Sequence, residues 1–321
     1  MNWQKILANG FSDVKDLLNY LELPDTLAPT TKIPFKTRVP LDFAARMEKK
    51  NPLDPLLLQV LMQQSEASAL QGYTKDPLEE DKFTPIPGLI HKYQSRVLLT
   101  FGNTCAINCR YCFRRHFPYS KNNVTKNLMP AIDYIRQNKS ITEVILSGGD
   151  PMLAKDASFK ILLSNLAALD HITTLRLHSR IPVVLPERIT KEWLELFKNS
   201  SFNKVMVIHT NHANELSLKV KSACALLKNA ANFHLLNQGV LLKGVNDNAE
   251  SLAVLSEKLF SYGILPYYLH LLDKVAGAQH FAVAEDKAKK IYKALQKKLP
   301  GYLVPRLVKE EPFMLHKTLI I

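Results

Sequence analysis

The sequence predicts an α/β fold in which parallel strands are joined by helical crossovers, behind a helical lead-in and ahead of a short C-terminal tail. Three observations carry that expectation. From residue 96 onward, short apolar runs alternate six times with longer stretches whose apolar residues recur at helical spacing. Regular alternation of this kind makes parallel pairings with helices on the faces of the sheet. The chain has 321 residues, 46% hydrophobic and 22% charged, so a sizeable core is within reach. Residues able to carry chemistry fall directly after the strand-like runs. Sites lie there whether the sheet closes, or partly closes, as a barrel or lies open and doubly wound.

Residues 1–87 read as a helical region. Apolar spacing predicts helices over 11–21, with Ser12 or Asp13 as cap, and over 42–50 and 55–64, separated by proline-containing connectors. Residues 78–88 are acidic and then broken by Pro85 and Pro87, which marks the main boundary. Strands are expected over 97–102, 143–147, 174–178, 204–209, 233–242 and 266–272. Between them, helices are expected over 128–137, 158–169, 191–198, 216–230 and 250–262. A last helix over 284–299 closes a domain spanning 88–300, and 301–321 forms a strand, over 302–308, and a tail.

Composition narrows the classes of function. Only 11 residues are Gly, and no run of 18 apolar residues exists, which argues against fibrous, Gly-rich and membrane-spanning chains. The N-terminus lacks the apolar stretch of a signal peptide, so a cytoplasmic protein is expected. Lys plus Arg number 42 against 29 Asp plus Glu, a net charge of +13. Such a balance suits anionic partners or phosphorylated cofactors, or is simply a solvated basic surface. The excess is scattered, with lysines concentrated near the C-terminus.

Three of the four cysteines, Cys105, Cys109 and Cys112, lie in one short segment after the first predicted strand. Spacings of three and then two residues let one loop offer thiolates to three corners of a [4Fe–4S] cubane, leaving one iron open. The rival is zinc, with His116 as a fourth ligand, which would fit a zinc-stabilised nucleic-acid-binding module. Three unligated thiols are the bland alternative. Cys224 stands alone on an apolar helical stretch and reads as core.

With Tyr111 just before the last cysteine, and Ser147-Gly148-Gly149-Asp150 after the second strand, this segment resembles the radical S-adenosylmethionine (SAM) enzymes. The match narrows further. Cys109-Arg-Tyr-Cys-Phe-Arg-Arg-His116, Ser179-Arg-Ile-Pro-Val-Val-Leu-Pro186, His209-Thr-Asn-His-Ala-Asn-Glu215, the stretch Leu236 to Asp247 and Pro266-Tyr-Tyr-Leu-His-Leu-Leu-Asp273 resemble lysine 2,3-aminomutases. The short bacterial type, which makes β-lysine for modification of elongation factor P, is most similar, and the likeness runs the length of the chain. The resemblance implies a radical SAM partial (β/α)6 barrel with an N-terminal helical extension and a C-terminal tail carrying a lysine for pyridoxal phosphate (PLP).

The site residues follow from the resemblance. Cys105, Cys109 and Cys112 would ligate the cluster. The glycine motif would let backbone approach the SAM amino group, with Ser147 and Asp150 beside it. His209, Asn211 and Gln238 align with polar positions near SAM. Lys317 aligns with the PLP lysine, although Glu310-Glu-Pro-Phe-Met-Leu-His-Lys317 lacks the glycines usual before it. Arg96, and Lys92 in place of an arginine, align with PLP phosphate contacts. His270 and Tyr111 fall next to PLP or the cluster, and Arg180 could serve either cofactor. Arg114 aligns with the residue that binds the substrate carboxylate, and Asp273 and Glu310 with the two acids that hold the side-chain ammonium of lysine.

The implied reaction is a radical 1,2-shift of nitrogen that turns L-lysine into β-lysine, the (R) form, with an external one-electron reductant. A functional link to elongation factor P and its lysyl-ligase is implied; nucleic-acid and membrane partners, and the structural zinc of longer relatives, are not. The alternative within the superfamily is an enzyme without PLP acting on a macromolecule, for which the basic charge would be suited.

Overall fold

A computed structural model describes residues 2–320. The lead-in forms α1 (Trp3–Ala8), α2 (Val14–Tyr20), α3 (Leu41–Ala44) and α4 (Pro55–Leu58). Asp13 caps α2 by accepting from Lys15 N at 2.7 Å, as its position before an apolar run suggests. The helices expected over 42–50 and 55–64 each last about one turn. The first starts after Pro40 and ends before Lys50, whose φ of 61° belongs to a left-handed turn. The second gives way at Gln59, whose carbonyl accepts instead from Arg110 N at 2.8 Å.

The sheet has nine strands: β1 (Leu89–Tyr93), β2 (Arg96–Gly102), β3 (Glu143–Gly148), β4 (Thr174–Ser179), β5 (Asn203–Ile208), β6 (Phe233–Val240), β7 (Leu265–His270), β8 (Arg306–Lys309) and β9 (Thr318–Leu319). They lie in sequence order. The pairings from β2 through β8 are parallel, and β1 and β9 add antiparallel edges. An order without reversal removes the doubly wound alternative, in which the strand order turns back at a switch point. The two edge strands were not expected from the sequence.

Between the strands run α5 (Met129–Gln137), α6 (Asp156–Ala167), α7 (Ile181–Val184), α8 (Lys191–Lys198), α9 (Leu218–Ala231), α10 (Ala249–Ser261) and α11 (Glu285–Lys298). Helix α8 shows why these segments are helical. The Thr190 hydroxyl caps Trp193 N at 3.2 Å, and Trp193, Leu194 and Phe197 turn one apolar side inward. Along β4, Leu175 and Leu177 join the helix-side core while Arg176 and His178 point the other way. That core runs from Leu17 to Ile264, so lead-in and strand–helix repeats share one apolar interior. Among the described residues no helix is long and apolar enough to cross a membrane.

The ends of the sheet meet through side chains. Lys92 Nζ on β1 donates to Glu310 Oε1, just past β8, at 2.7 Å, and Tyr93 OH donates to the same oxygen at 2.6 Å. In a flat sheet the strand steps from β1 to β8 would separate those residues by roughly 34 Å at about 4.8 Å per strand. The sheet is therefore curled, with a seam bridged by side chains; among the described residues no backbone ladder joins β1 to β9.

Candidate active site

The curl gathers the C-terminal ends of the parallel strands. After β2 comes the cysteine loop, which the lead-in braces from outside. Arg38 donates to Cys105 O at 3.0 Å, and buried Arg110 lays its guanidinium on Glu66 at 2.9 and 2.5 Å. Cys105, Cys109 and Cys112 are free thiols with part of their surface open. Burial pushes Cys105 well up, with Cys112 and Cys109 adding to it, and pushes Cys112 up to about 12, with Cys109 adding to it. A thiol so placed becomes a thiolate only when a metal takes it.

Among the described residues no group of three His, Cys, Asp or Glu side chains could hold a single metal ion. The fourth ligand of the zinc alternative, His116, meets Ala276 O through its Nε2 at 3.0 Å. A cubane differs because each thiolate takes its own iron. Arg180 lies at this end of the site, with one guanidinium nitrogen 2.7 Å from Cys109 Sγ. Its other terminal nitrogen is held by Gln59 at 2.7 Å and Glu215 at 2.8 Å. Its charge thus serves the cysteine loop.

The motif after β3 packs more tightly than the sequence suggests. A Cβ on Gly149 would come 2.4 Å from Thr104 O, and Gly148 sits at φ 116°, where a Cβ would meet Gly102 O at 2.6 Å. The missing side chain of Gly149 makes room for the backbone leading into the cysteine loop, and that of Gly148 for the end of β2. Asp150 also turns inward. Its carboxylate accepts from Ser179 Oγ at 2.7 Å and from the N–H groups of Arg180 and Ile181 at 2.8 and 3.2 Å, fixing the start of α7. Asn211 is similarly occupied, by Gln59 at 3.0 Å and Val240 N at 2.8 Å.

Three histidines line the curl. His178, His209 and His270 each bury an Nε2 with no protein partner. Burial lowers the pKa of all three, that of His209 to about 4, so they stand neutral. Buried polar atoms of this kind are normally satisfied by water or by a bound group. Gln238, on β6, is in register with Tyr268 of β7. Tyr111 lies below the Arg180 guanidinium, 5.7 Å from its ring centre.

On the seam side, Lys317 Nζ donates to Glu310 Oε2 and lies 5.8 Å from the centre of the Tyr268 ring. Burial raises the Glu310 carboxyl, but Lys317, Lys92 and Tyr93 outweigh it and bring the group down to about 2. Burial raises Asp273 to about 7; Lys317 and Arg114 pull it down, Glu310 and Glu80 push it up. Lys317, Glu310, Asp273 and Arg114 thus share one electrostatic neighbourhood.

Two expected contacts are placed differently. Lys92 is tied to Glu310 and to Glu311 O, both at 2.7 Å, in place of standing open for a phosphate. The Arg114 fork is filled by Glu80 at 2.8 and 2.6 Å, with Ser147 Oγ at 3.1 Å from its remaining nitrogen. Arg96 begins β2, stacks at 4.2 Å on Tyr93, and among the described residues makes no ion pair. An unpaired arginine, a part-exposed lysine and an aromatic wall suit PLP; three free thiols in one loop suit the cluster.

Residues 99–252 match the family pattern described as the Radical SAM superfamily. The chain is 48% identical to the L-lysine 2,3-aminomutase of Haemophilus influenzae, over 99% of this chain and 95% of that one. It is 46% identical to that of Escherichia coli K12, over 96% and 91%, and 33% identical to that of Clostridium subterminale, over 97% and 76%. The chain belongs to the lysine 2,3-aminomutase family. It is therefore an enzyme, and its radical SAM segment holds the cysteine loop, the glycine motif and two of the three inward-facing histidines, His178 and His209. Outside that segment, this aminomutase family member places its seam pair, Lys92 and Glu310, and Lys317. Sequence reading missed Glu80, Glu66, Gln59, Tyr93 and His178. The acids had a signal: three arginines in one loop, Arg110, Arg114 and Arg115, need counter-charges from somewhere in the lead-in.

Proposed function

We infer that this protein interconverts L-lysine and β-lysine by moving the amino nitrogen from the α to the β carbon. The carrying observation is the shared neighbourhood of Lys317, Glu310, Asp273 and Arg114, in a chain alignable end to end with aminomutases. It pairs one carboxylate-binding cation with two acids for an ammonium, the match for a diamino acid. The frame is read as the family's partial (β/α)6 barrel with a PLP-lysine tail.

When bound, SAM at a [4Fe–4S] cluster supplies a hydrogen-abstracting radical, and PLP supplies the linkage along which nitrogen migrates. The protein's residues bind and orient. Cys105, Cys109 and Cys112 would hold the cluster, with Arg180 donating to Cys109. Lys317 would hold PLP and Arg96 its phosphate. Arg114 would take the substrate carboxylate, exchanging Glu80 for it, and Asp273 and Glu310 the side-chain ammonium. The neutral histidines and Tyr268 wall the space, excluding water from a reactive radical. An external one-electron reductant is needed. Product stereochemistry of the (R) form, supply of β-lysine to elongation factor P, and a cytoplasmic setting rest on the likeness to the short bacterial type.

Anaerobic incubation with L-lysine, SAM, PLP and a chemical reductant, followed by product analysis, tests the reading. Formation of 3,6-diaminohexanoate is expected. Fully loaded protein that leaves lysine unchanged would overturn it. Transfer of the product to elongation factor P by its ligase tests the finer reading.

A further inference from the structure

The Arg114 fork is filled by a carboxylate of this chain itself. Nε and one terminal nitrogen meet the two Glu80 oxygens at 2.8 and 2.6 Å, the paired geometry a ligand carboxylate would use. The other terminal nitrogen lies 3.1 Å from Ser147 Oγ, so no two neighbouring nitrogens stand free. We propose that Glu80 is a resident carboxylate which the ligand's carboxylate must displace from Arg114, so that Glu80 sets how strongly the site prefers amino acids to amines lacking a carboxylate. This rests on the function proposed above.

The segment that carries Glu80 is loosely tied. At one end, Thr74 N donates to Lys274 O at 2.9 Å and Thr74 O accepts from Ala276 N at 2.8 Å, in the loop after β7. At the other, the Phe83 ring lies 5.5 Å from that of Phe313 in the tail. Between these ends, residues 75–84 make no backbone hydrogen bond outside the segment among the described residues. Leu78 and Glu80 are its only buried residues. Glu79, just before Glu80, sits in the left-handed region at φ 51°, a conformation costly for a residue with a side chain. A stretch held by so few bonds opens more readily than the sheet it crosses. A cavity of about 170 Å³ lies beside the pair, lined by Lys75, Glu80, Arg114 and His116 among others. A Glu80 carboxylate released into it faces a lysine and a histidine, so leaving the fork does not strand a buried charge.

A ligand carboxylate gains Arg114 only where the Glu80 pair is given up. The fork then contributes the difference between two similar contacts, not the whole of one. A diamine without the carboxylate leaves Glu80 in place, and the guanidinium, 6% exposed, keeps its partner. A site whose buried polar group is stranded by an analogue rejects that analogue by about 10⁴-fold. Glu80 removes that penalty. It keeps the buried cation paired with or without a ligand, weakens lysine binding, and moderates the preference for lysine over the bare diamine.

The test compares lysine with cadaverine, the same diamine without the carboxylate, by calorimetry on the full-length protein loaded with cluster and PLP. SAM and reductant are left out so that nothing turns over, and the buffer holds no carboxylate or phosphate. Each ligand has an amine to take the place of Lys317 on PLP, so that step is common to both. Wild type should prefer lysine by less than about a hundredfold. Glu80→Gln keeps the length and one acceptor for Arg114 but loses the charge. It should bind lysine at least about tenfold more tightly and cadaverine as wild type does. Unchanged or weaker lysine binding by folded Glu80→Gln overturns the proposal. So does a wild-type preference above about a hundredfold, which needs no variant to fold. In wild type, lysine should also speed backbone hydrogen exchange over 79–84 and cadaverine should not; the same exchange with both overturns it too. Turnover of lysine by the same batch, once SAM and reductant are added, separates the failures. Turnover alongside an overturning result removes only the role of Glu80, while bound PLP with neither lysine binding nor turnover removes the underlying function.

Discussion

Lys92 and Glu310 lie 218 residues apart in the chain and 2.7 Å apart in the fold, across the one seam that backbone pairing leaves open among the described residues. Both side chains are about nine-tenths buried. Lys92 stands where the resemblance implies an arginine, and as a single-point cation without the fork it meets one oxygen of the Glu310 carboxylate.

Removing that cation leaves Glu310 with Lys317 and Tyr93 only. Lys92→Met should therefore destabilise the protein on the order of 2 kcal/mol, less than complete orphaning of a buried charge. Urea unfolding measures it. Lys92→Arg should cost much less. A double variant with Glu310→Gln should cost less than the two single changes added, because the pair is lost together. Strict additivity would show that the two residues do not depend on each other.

The strand–helix frame was legible because it is written locally. β-branched runs and capped apolar stripes predicted the strands from β2 to β8 and the long helices within a few residues. The edge strands were not. β1 is five residues with an irregular register against β2, and β9 is two residues, too short to carry a period. In the site, three cysteines in eight residues announce themselves. Partner choice does not: Glu80 lies 34 residues from Arg114, and nothing periodic links them. Glycines were legible as close-approach positions, but not what approaches.

Gly149→Ala tests that last point. The added Cβ would meet the backbone of Thr104 at 2.4–2.8 Å, and backbone cannot swing aside like a side chain. The cysteine loop must shift, so iron content after anaerobic reconstitution should fall sharply and the melting temperature with it. Gly301→Ala, where a Cβ would meet nothing within 4 Å, is the control and should keep both. Normal iron loading in Gly149→Ala would mean the loop is not docked on the motif.

The three thiols of the cysteine loop should carry about four irons as a [4Fe–4S] cluster. Replacing Cys109 with Ala should abolish the cluster's visible absorbance. Replacing Cys224, fully buried in the apolar core on α9, should leave it intact and cost only packing. Retention of a full cluster in Cys109→Ala would sink the ligand assignment.

The tail before Lys317 has no glycine between residues 302 and 317, yet makes a left-handed turn, at Phe313 with φ 63°. A bulky residue is strained there. The ring is held by Phe83, 5.5 Å away, and by Lys82, 5.0 Å from its centre. Phe313→Gly removes the strain and the contact together. The expected outcome is a looser tail with near-neutral global stability: faster backbone hydrogen exchange over 311–317 and slower PLP loading. Phe313→Ala keeps the strain while losing the contact, so it should be less stable than Phe313→Gly by roughly 1 kcal/mol. Equal stability of the two would show the turn carries no strain.

Asp273 makes the last expectation a matter of pH. Burial raises its pKa from 3.8 to about 7, against the pull of Lys317 and Arg114 and with the push of Glu310 and Glu80. The folded protein thus binds a proton that the unfolded chain has lost, so this group costs stability as pH rises from about 4 to about 7. Asp273→Asn should cancel that decline, and the variant should gain on wild type between pH 5 and pH 8 in ligand-free thermal melts. Substrate reverses the preference, because an ammonium favours the ionised carboxylate. Below about pH 7 lysine must expel the proton before it can pair, and each further unit downward should weaken lysine binding about tenfold. Norleucine should show no such slope. Asp273→Asn should bind lysine weakly at every pH, near the wild-type value at pH 5. Wild-type lysine affinity that stays level from pH 6 to 8, in protein that discriminates against norleucine, would show that Asp273 is ionised throughout and that Glu310 alone reads the ammonium.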